Sequence, residues 1–372
     1  MSPQPLRIGI DGNALIPPLT GVGRYVFELS KALDEVMPEA QFFVYAPKKI
    51  TSPVESERWK LRIRRVVPRG LRLYAWLMFA PGVFSYFDDL DVFWYAGGLS
   101  PLVGLPRRIK TVLTVYDLVH RIAPDTRSRQ DLWIRGPLFH RGLTRATAIT
   151  TMSTGTAARL RTFYGCQVDA VVPPALSSQF RPTTEAEMRP VLTRYGVRKP
   201  YVLAVGTREP RKNLTLLVRT FLDMKNEGPL RQHALAIVGS RGWRNEQLER
   251  LIEAAAAAGV NALGYVPHGD LPALYSGCDV FVFPSSYEGF GMPVPEARAC
   301  GARVVASDIP ELREAGDEHV VYVTPTEEAL AKGILEALSR PKPPPMAVTE
   351  ASSWKASAAL LANVFVRVCA PG

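Results

Sequence analysis

A continuous apolar strand that runs into a glycine-rich turn most constrains the fold of this chain. Residues 280–283 are Val-Phe-Val-Phe, and an unbroken apolar run of this kind predicts a parallel strand buried on both faces. Residues 288–293 are Glu-Gly-Phe-Gly-Met-Pro, and residues 295–300 predict the first turns of a helix with proline near its start. Strand, turn and helix in this order indicate an α/β fold, because helices then cover the faces of a parallel sheet.

Two carboxylates, Glu288 and Glu296, flank this turn and stand eight positions apart. A glycine turn that ends at a helix N-terminus presents free backbone N–H groups to an anion such as a phosphate. A sugar nucleotide fits such a site, with Glu288 toward the sugar and Glu296 toward the ribose hydroxyls. The turn residues that would line the site are Gly289, Phe290, Gly291 and Met292. The alternative is a tight turn with two solvated glutamates.

Predicted strands and helices alternate along the whole chain, which indicates two parallel sheets covered by helices. One series of strands begins at residue 6 and a second at residue 201, and the polar stretch over residues 181–198 between them suits a linker. A length of 372 residues also favours two domains. We predict one α/β domain over residues 1–178 and another over residues 179–349.

A charged loop, Gly-Thr-Arg-Glu-Pro-Arg-Lys-Asn, follows the predicted strand at residues 201–205 and precedes a helix predicted to begin near Leu214. It contains Arg208, Arg211 and Lys212. Ligands of open parallel sheets bind at the carboxyl ends of the strands, and cations placed there can neutralise a diphosphate. The alternative is a solvated loop, since lysine and arginine are usually exposed.

The segment from Glu288 to Glu314 resembles the donor-binding region of the retaining GT-B-type glycosyltransferases of family four. The resemblance consists of a Glu, seven residues and a second Glu, followed by Gly301, an apolar strand and the pair Pro310-Glu311. The loop that holds Lys212 resembles the diphosphate-binding loop of the same family. The resemblance implies two facing Rossmann-like domains with a cleft between them, the first for the acceptor and the second for the nucleotide sugar. Residues 350–372, with an apolar helix from Trp354, would cross back onto the first domain.

Residues of the N-terminal half also resemble this family. Thr-Gly-Val-Gly at residues 20–23 lies between the first predicted strand and helix, where glycine lets the backbone approach a ligand, although a plain turn is the alternative. Family members commonly carry a His-Asp pair after the strand at residues 110–115. Here Tyr116 stands in place of the histidine, Asp117 keeps its position, and His120 follows three residues later. Asp117 would hold an acceptor hydroxyl or act as a weak base, and His120 would either transfer protons or serve as a structural residue.

The resemblance assigns roles to residues of this chain, with Glu288, Asp117 and His120 as the catalytic candidates. The implied donor-binding residues are Gly21, Gly23, Arg208, Arg211, Lys212, Tyr265, Gly289, Phe290, Gly291, Met292 and Glu296. Close relatives often carry an apolar residue at the position of Arg208. The histidines and cysteines show no metal-ligand spacing and there is no Asp-x-Asp sequence, so we expect no metal and no other cofactor.

The resemblance also implies a reaction. It would move a hexose, mannose or a related deoxyhexose such as rhamnose, from a GDP-linked donor to a lipid-linked oligosaccharide, with retention of configuration, in O-antigen synthesis. A non-hydrolysing epimerase shares two facing α/β domains, but its catalytic residues have no counterpart in this sequence. A sugar-nucleotide-binding scaffold is a further alternative, which only the missing histidine at Tyr116 favours.

The net charge of +10 belongs mainly to the N-terminal half, because residues 1–180 hold 23 Lys and Arg against 14 Asp and Glu, and the rest 22 against 21. Residues 58–72 carry seven basic side chains and no acid, and an apolar, aromatic stretch follows at residues 73–80. This segment suits contact with an anionic membrane. It equally fits an edge strand with a charged outer face at residues 61–67, followed by a core helix.

Nucleic acid is not expected as a partner, because no nucleic-acid-binding motif accompanies the charge. No signal peptide or membrane-spanning run is evident, and the four cysteines form no disulfide pattern. We therefore predict a cytoplasmic protein that is peripheral on the inner face of the cell membrane.

Overall fold

Two parallel sheets form the framework of the chain, and the computed structural model describes residues 5–63, 85–98, 105–124, 136, 139–242 and 245–370. The strands of the first sheet are β1 (Arg7–Asp11), β2 (Gln41–Ala46), β3 (Trp59–Ile63), β4 (Val92–Tyr95), β5 (Lys110–Val115), β6 (Ala148–Thr151) and β7 (Ala170–Val171). The strands of the second sheet are β8 (Tyr201–Val205), β9 (Ala234–Val238), β10 (Val260–Gly264), β11 (Val280–Phe283), β12 (Val304–Ser307) and β13 (Val321–Val323).

The helices alternate with these strands. They are α1 (Gly21–Val36), α2 (Val119–Ile122), α3 (Thr154–Tyr164), α4 (Glu185–Arg194), α5 (Leu214–Glu227), α6 (Glu246–Ala254), α7 (Leu271–Gly277), α8 (Pro293–Ala299), α9 (Pro310–Ala315), α10 (Glu327–Ser339) and α11 (Trp354–Cys369). The chain divides into unit 1 (Met1–Leu118, Ser128–Ala175 and Glu350–Gly372) and unit 2 (Val119–Arg127 and Leu176–Thr349).

All neighbouring strands pair in parallel, in the order β3-β2-β1-β4-β5-β6-β7 in unit 1 and β10-β9-β8-β11-β12-β13 in unit 2. This is the Rossmann-like order, in which strand order reverses next to the first strand and leaves a ligand-binding crevice at the carboxyl ends. The predicted α/β fold with two parallel sheets is confirmed. Its element boundaries shift slightly: α8 begins at Pro293, two residues before the predicted start, because proline suits the first helical position.

The C-terminal helix α11 completes the core of unit 1, as the resemblance implied. It packs against α1, and its Leu361 and Phe365 are fully buried in the same apolar cluster as the β1 and β4 side chains. The Phe365 ring lies edge-on to Trp94, with 6.2 Å between ring centroids. The Ser357 hydroxyl donates a hydrogen bond to the backbone carbonyl of Pro173 at 2.6 Å, so the helix is held by polar as well as apolar contacts.

The strand β3 lies at the edge of the first sheet, which confirms the edge-strand interpretation for its described residues, but its faces are reversed. Leu61 and Ile63 are 40% and 39% exposed. Lys60 and Arg62 instead lie over the Phe43 ring, 5.2 and 5.5 Å from its centroid. The reason is that the Arg62 guanidinium also pairs with Asp88, at 2.6 Å between Nη2 and Oδ1. Residues 64–84, the rest of the basic and aromatic segment, lie outside the described residues.

Asp11 ends β1 at the point where strand order reverses in the first sheet. Its side chain is 2% exposed, and its Oδ1 accepts a hydrogen bond from the backbone N–H of Asn13 at 3.1 Å. Burial raises the pKa of this carboxyl to about 6, because the hydrogen bonds from Asn13 offset only part of the lost hydration. Between about pH 4 and pH 6 the native state therefore holds a proton that the unfolded chain has already released.

We predict that Asp11→Asn stabilises unit 1 in a pH-dependent way. Because the native pKa is the higher one, the wild-type chain loses stability as the pH rises from about 4 to about 6, by about 3 kcal/mol at 1.4 kcal/mol per pKa unit. The gain in free energy of unfolding from the substitution should therefore be about 3 kcal/mol larger at pH 7.5 than at pH 4. Urea unfolding followed by tryptophan fluorescence measures it, since five of the six tryptophans belong to unit 1. A gain that is the same at both pH values would contradict the prediction.

Candidate active site

Two loops meet at the carboxyl edge of the second sheet, where strand order reverses between β8 and β11. The first loop follows β8 and carries Arg211 and Lys212, and the second follows β11 and carries Ser286 to Glu288. The Ser286 backbone N–H donates to the Arg211 carbonyl at 2.8 Å. In return, Arg211 Nη1 donates to the Tyr287 carbonyl at 3.1 Å. Because β8 and β11 are adjacent and parallel, residues 76 or 77 positions apart in sequence are fixed beside one another.

Glu288, Arg211 and Lys212 form the cation–carboxylate cluster of the site. The Glu288 side chain is 6% exposed. Its Oε1 accepts a hydrogen bond from Lys212 Nζ at 2.5 Å, and its Oε2 accepts one from Arg211 Nη1 at 2.8 Å. The Lys212 ammonium also lies 4.8 Å from the centroid of the Phe283 ring. The structure thus brings three of the predicted site residues together in one buried contact.

The cluster keeps its carboxylate ionised. Burial alone would raise the pKa of Glu288, but the charges of Lys212 and Arg211 outweigh it and lower that pKa to about 2. Burial lowers the pKa of Lys212 from its usual range, and the attraction of Glu288 opposes this shift. Arg211 also reaches Glu209, at 2.6 Å between Nη2 and Oε1. An anion that enters the site therefore meets two cations whose charge two glutamates already balance.

The second glutamate of the pattern, Glu296, lies in the first turn of α8 and is 6% exposed. Its Oε2 accepts a hydrogen bond from the Tyr275 hydroxyl at 3.0 Å. Tyr275 belongs to α7 and is fully buried. Sequence reasoning missed Tyr275, because a tyrosine in an apolar stretch gives no sign of which polar group its hydroxyl will meet.

The turn between the two glutamates needs glycine at Gly291, which has φ +96°. A Cβ at this position would lie 2.2 Å from the Leu312 side chain. Its neighbour Phe290 is 8% exposed, Met292 immediately precedes α8, and Gly289 is half-buried. The turn is thus shaped by packing against α9. Whether its backbone contacts a donor stays a prediction.

Arg208 lies apart from the cation–carboxylate cluster. Its Nε donates to Glu249 Oε1 at 2.7 Å and its Nη1 donates to the Gly239 carbonyl at 2.9 Å. These contacts tie the loop after β8 to the loop after β9 and to α6. Tyr265, which follows β10, is 66% exposed. The donor-binding roles of Arg208 and Tyr265 stay predictions.

In unit 1, the glycine turn before α1 is explained by contacts within the unit. A Cβ at Gly23 would lie 2.3 Å from the Ala14 carbonyl oxygen, whereas one at Gly21 would meet nothing within 4 Å. The Thr20 hydroxyl caps the helix by accepting from the Gly23 N–H at 3.2 Å. The close approach that requires glycine is therefore to the protein's own backbone, and contact of Gly21 and Gly23 with a donor stays a prediction.

The segment after β5 places Tyr116 in the core of unit 1. Its hydroxyl donates to the Ala96 carbonyl at 2.7 Å, and its ring lies edge-on to Tyr25. Asp117 follows in the loop and is half-buried, and His120 is half-buried on the short helix α2. The catalytic roles of Asp117 and His120 stay predictions, while Tyr116 itself serves packing.

Two Rossmann-like sheets, with paired acids and a cationic loop at the switch point of the second, define a GT-B-type glycosyltransferase. Two family models cover most of the chain: "Glycosyl transferase 4-like domain" matches residues 20–175, and "Glycosyl transferases group 1" matches residues 193–354. The chain belongs to this family of glycosyltransferases.

A similar protein supports this assignment over most of the chain, and solved structures share the fold. The chain is 31% identical over 338 residues to the O-antigen chain mannosyltransferase B of Escherichia coli, an alignment that covers 86% of this chain and 87% of that protein. Among solved structures, sucrose-phosphate synthase from Thermosynechococcus elongatus has a TM-score of 0.75 at 20% identity and covers 98% of this chain and 99% of its own. WaaG, a glycosyltransferase involved in lipopolysaccharide biosynthesis, has a TM-score of 0.68 at 14% identity and covers 98% and 99%. At these identities the two structures establish the shared fold.

We predict strong energetic coupling between Lys212 and Glu288. Removing one partner leaves a buried charge with less compensation, which is costly in a buried pair. Lys212→Met and Glu288→Gln should each lower the free energy of unfolding by about 2 kcal/mol, and the double variant should lose at least about 1 kcal/mol less than their sum. Urea unfolding followed by circular dichroism measures all four proteins.

The control for this cycle is the exposed pair of Lys199 and Glu185, 2.9 Å apart in the same unit. The coupling in Lys199→Met and Glu185→Gln should stay below about 0.5 kcal/mol, because water screens exposed ion pairs. Additive effects at Lys212 and Glu288 would show that the buried contact does not persist in solution.

Proposed function

We propose that this chain is a retaining, metal-independent glycosyltransferase that moves mannose, or a related deoxyhexose such as rhamnose, from a GDP-linked donor. The acceptor would be a lipid-linked oligosaccharide in O-antigen synthesis. The cation–carboxylate cluster at the switch point of the second sheet is the observation that carries the proposal. The name of the Escherichia coli relative, an O-antigen chain mannosyltransferase, supports the choice of sugar and pathway.

In this proposal, Arg211 and Lys212 bind the diphosphate of the donor. The departing nucleoside diphosphate gains negative charge as the sugar bond breaks, so fixed cations stabilise the transition state more than the bound substrate. The buried Lys212 and the half-buried Arg211 would supply the neutralisation that a metal ion gives other sugar-nucleotide enzymes. Glu296 would accept hydrogen bonds from the ribose hydroxyls, as a partly buried carboxylate next to a helix start can do.

Glu288 has two successive partners in this mechanism. In the structure its carboxylate binds the two cations that are proposed to bind the diphosphate, at 2.5 Å from Lys212 Nζ and 2.8 Å from Arg211 Nη1. Phosphate oxygens would replace it there, and the released carboxylate would turn to the hydroxyls of the transferred sugar and support the positive charge that develops on its ring. Such an exchange couples donor binding to placement of the acid, because the carboxylate is freed only when phosphate takes over its cations.

Retention requires the acceptor hydroxyl to approach the face of the sugar that the diphosphate leaves. A phosphate oxygen of the departing group would take the hydroxyl proton, the new glycosidic bond would form, and the bond to the phosphate would break. In the segment after β5, Asp117 and His120 are our candidates for holding the acceptor hydroxyl. Neither has to be the base in this scheme, so the tyrosine at position 116 is compatible with it.

A donor panel tests the proposal, with lipid-linked oligosaccharide acceptors and GDP-mannose, GDP-rhamnose, UDP-glucose and UDP-galactose. We expect transfer from a GDP-linked donor, a product with the anomeric configuration of the donor, and no loss of rate in EDTA. Glu288→Ala should lower the transfer rate by at least about 1,000-fold, while its circular dichroism spectrum stays that of the wild-type protein. Glu336→Ala, which removes an exposed acid of α10, should leave the rate unchanged.

Four outcomes would contradict the proposal. Normal turnover by Glu288→Ala would exclude the assigned site, and transfer from UDP-linked donors alone would exclude the proposed donor. Sugar inversion without transfer would indicate an epimerase instead. Tight nucleotide binding without any reaction would indicate a binding scaffold.

We also propose peripheral contact of unit 1 with an anionic membrane at the inner face of the cell membrane. The excess of basic residues in the N-terminal half supports this, together with an exposed aromatic pair: Tyr86 is 67% and Phe87 is 79% exposed. Next to them in the sequence, the Asp88 carboxylate accepts a hydrogen bond from Arg62, and the Asp88 backbone carbonyl accepts one from Arg7. Exposed aromatic side chains next to basic groups favour the membrane interface. None of the helices described by the structure combines the length and apolar character that crossing a bilayer requires.

We predict that the double substitution of Tyr86 and Phe87 by serine weakens membrane binding. In flotation assays with vesicles containing phosphatidylglycerol, the bound fraction should fall at least about threefold, because two interfacial aromatic side chains are lost. Vesicles of phosphatidylcholine alone should bind little of either protein. Val366→Ser, on the exposed side of α11 at 58% exposure, is the control and should bind as the wild type does. Equal binding by all three proteins would exclude this surface.

A further inference from the structure

The hydroxyl group of Tyr275, inside the core of unit 2, contacts the proposed ribose-binding acid Glu296. The Tyr275 hydroxyl donates to Glu296 Oε2 at 3.0 Å, and the tyrosine side chain has no exposure to solvent. Glu296 itself is 6% exposed, so little water is available to hold its carboxylate. A hydrogen bond from a buried phenol to a carboxylate is charge-assisted and therefore one of the stronger kinds.

The Tyr275 ring is fixed by its neighbours, so its hydroxyl has one position. The ring lies edge-on to Phe281 of β11, with 5.2 Å between centroids, and 6.2 Å from Phe180. Burial, with a smaller contribution from the charge of Glu296, raises the pKa of Tyr275 well above its ordinary value. The hydroxyl thus remains a donor at any pH at which the protein is assayed. A fixed donor on one carboxylate oxygen sets the rotation of the carboxylate and directs its other oxygen.

We infer that Tyr275 is a positioning residue that orients the Glu296 carboxylate for the ribose hydroxyls of the donor. Tyr275 does not touch the donor in this arrangement; it acts through Glu296. The inference rests on the proposed function, in which Glu296 holds the ribose. The new element is that the affinity gained from the ribose hydroxyls depends on the Tyr275 hydroxyl. This hydroxyl belongs to α7 in the domain core and not to the loops of the site.

Tyr201 offers a matched control in the same core. It is also fully buried, and its hydroxyl donates to the Leu274 carbonyl at 2.6 Å. Leu274 is the residue next to Tyr275, so the two phenols lie in the same region of unit 2. Tyr201→Phe and Tyr275→Phe remove the same atom from equally buried rings, but only Tyr275→Phe removes a contact to Glu296. Any general loosening of the core should therefore appear in both variants.

The experiment compares wild type, Tyr275→Phe, Tyr201→Phe and Glu296→Gln by calorimetric titration with GDP and with 2′,3′-dideoxy-GDP, and with the corresponding uridine nucleotides in parallel. We expect Tyr275→Phe to weaken GDP binding about 10- to 100-fold, the range for a lost hydrogen bond to a charged group. Its affinity for the dideoxy nucleotide should stay within about twofold of wild type, because that nucleotide has no ribose hydroxyls for Glu296 to bind. In turnover with GDP-mannose, KM should rise by a similar factor while kcat changes less. Tyr201→Phe should change none of these values by more than about twofold.

The outcomes separate this inference from the proposed function. If Glu296→Gln discriminates between GDP and its dideoxy analogue but Tyr275→Phe does not, the positioning role is wrong and the ribose assignment stands. If Tyr275→Phe weakens both nucleotides equally, its role is structural and the inference is overturned. If Glu296→Gln also fails to discriminate, or the wild-type protein binds no nucleotide, the ribose assignment of the proposed function fails and the inference falls with it.

Discussion

The contact of Glu288 with Lys212 and Arg211 is the interaction on which the site depends. An acid with so little exposure would ordinarily be neutral, and two cations so close together would ordinarily repel one another. Each charge is therefore acceptable in the interior only because the others are present. The two loops must close on each other for this to occur, and the hydrogen bonds between Ser286, Tyr287 and Arg211 hold them closed. The two loops and the three charged groups thus form one connected arrangement.

The parallel topology of the second sheet makes this contact possible. Because β8 and β11 are neighbours, the loops at their carboxyl ends face the same side. The helix that follows β11 then carries Glu296 into the same region, and α7 places a phenol behind it. Four sequence segments thus converge without any long excursion of the chain. Because most of the site residues lie on loops and at a helix start, a fold of alternating strands and helices can change its specificity there while its core stays constant.

Much of the architecture could be predicted from the sequence because local signals agreed with the final packing. Thr20 caps α1 where the amphipathic pattern begins, and the apolar run at residues 280–283 is a buried central strand. The cationic loop and the two glutamates were also found, since strand ends mark the ligand edge of a parallel sheet. The features that the sequence did not predict depend on side-chain partners that are distant along the chain. The orientation of Leu61 and Ile63 is set by the pairing of Arg62 with Asp88 across the sheet, and nothing within a few residues of Arg208 announces its bond to Glu249.

The position of α11 has a consequence for how the protein is made. Most of unit 1 precedes unit 2 in the chain, yet Leu361 and Phe365, which complete its core, follow unit 2 and are synthesised after it. All strands of unit 2 are complete by residue 323. Domains usually fold in the order of synthesis, but here the apolar side of α1 stays uncovered until the second unit has emerged. The nascent chain therefore passes through a stage in which apolar surface of unit 1 is exposed, and exposed apolar surface of this kind favours aggregation.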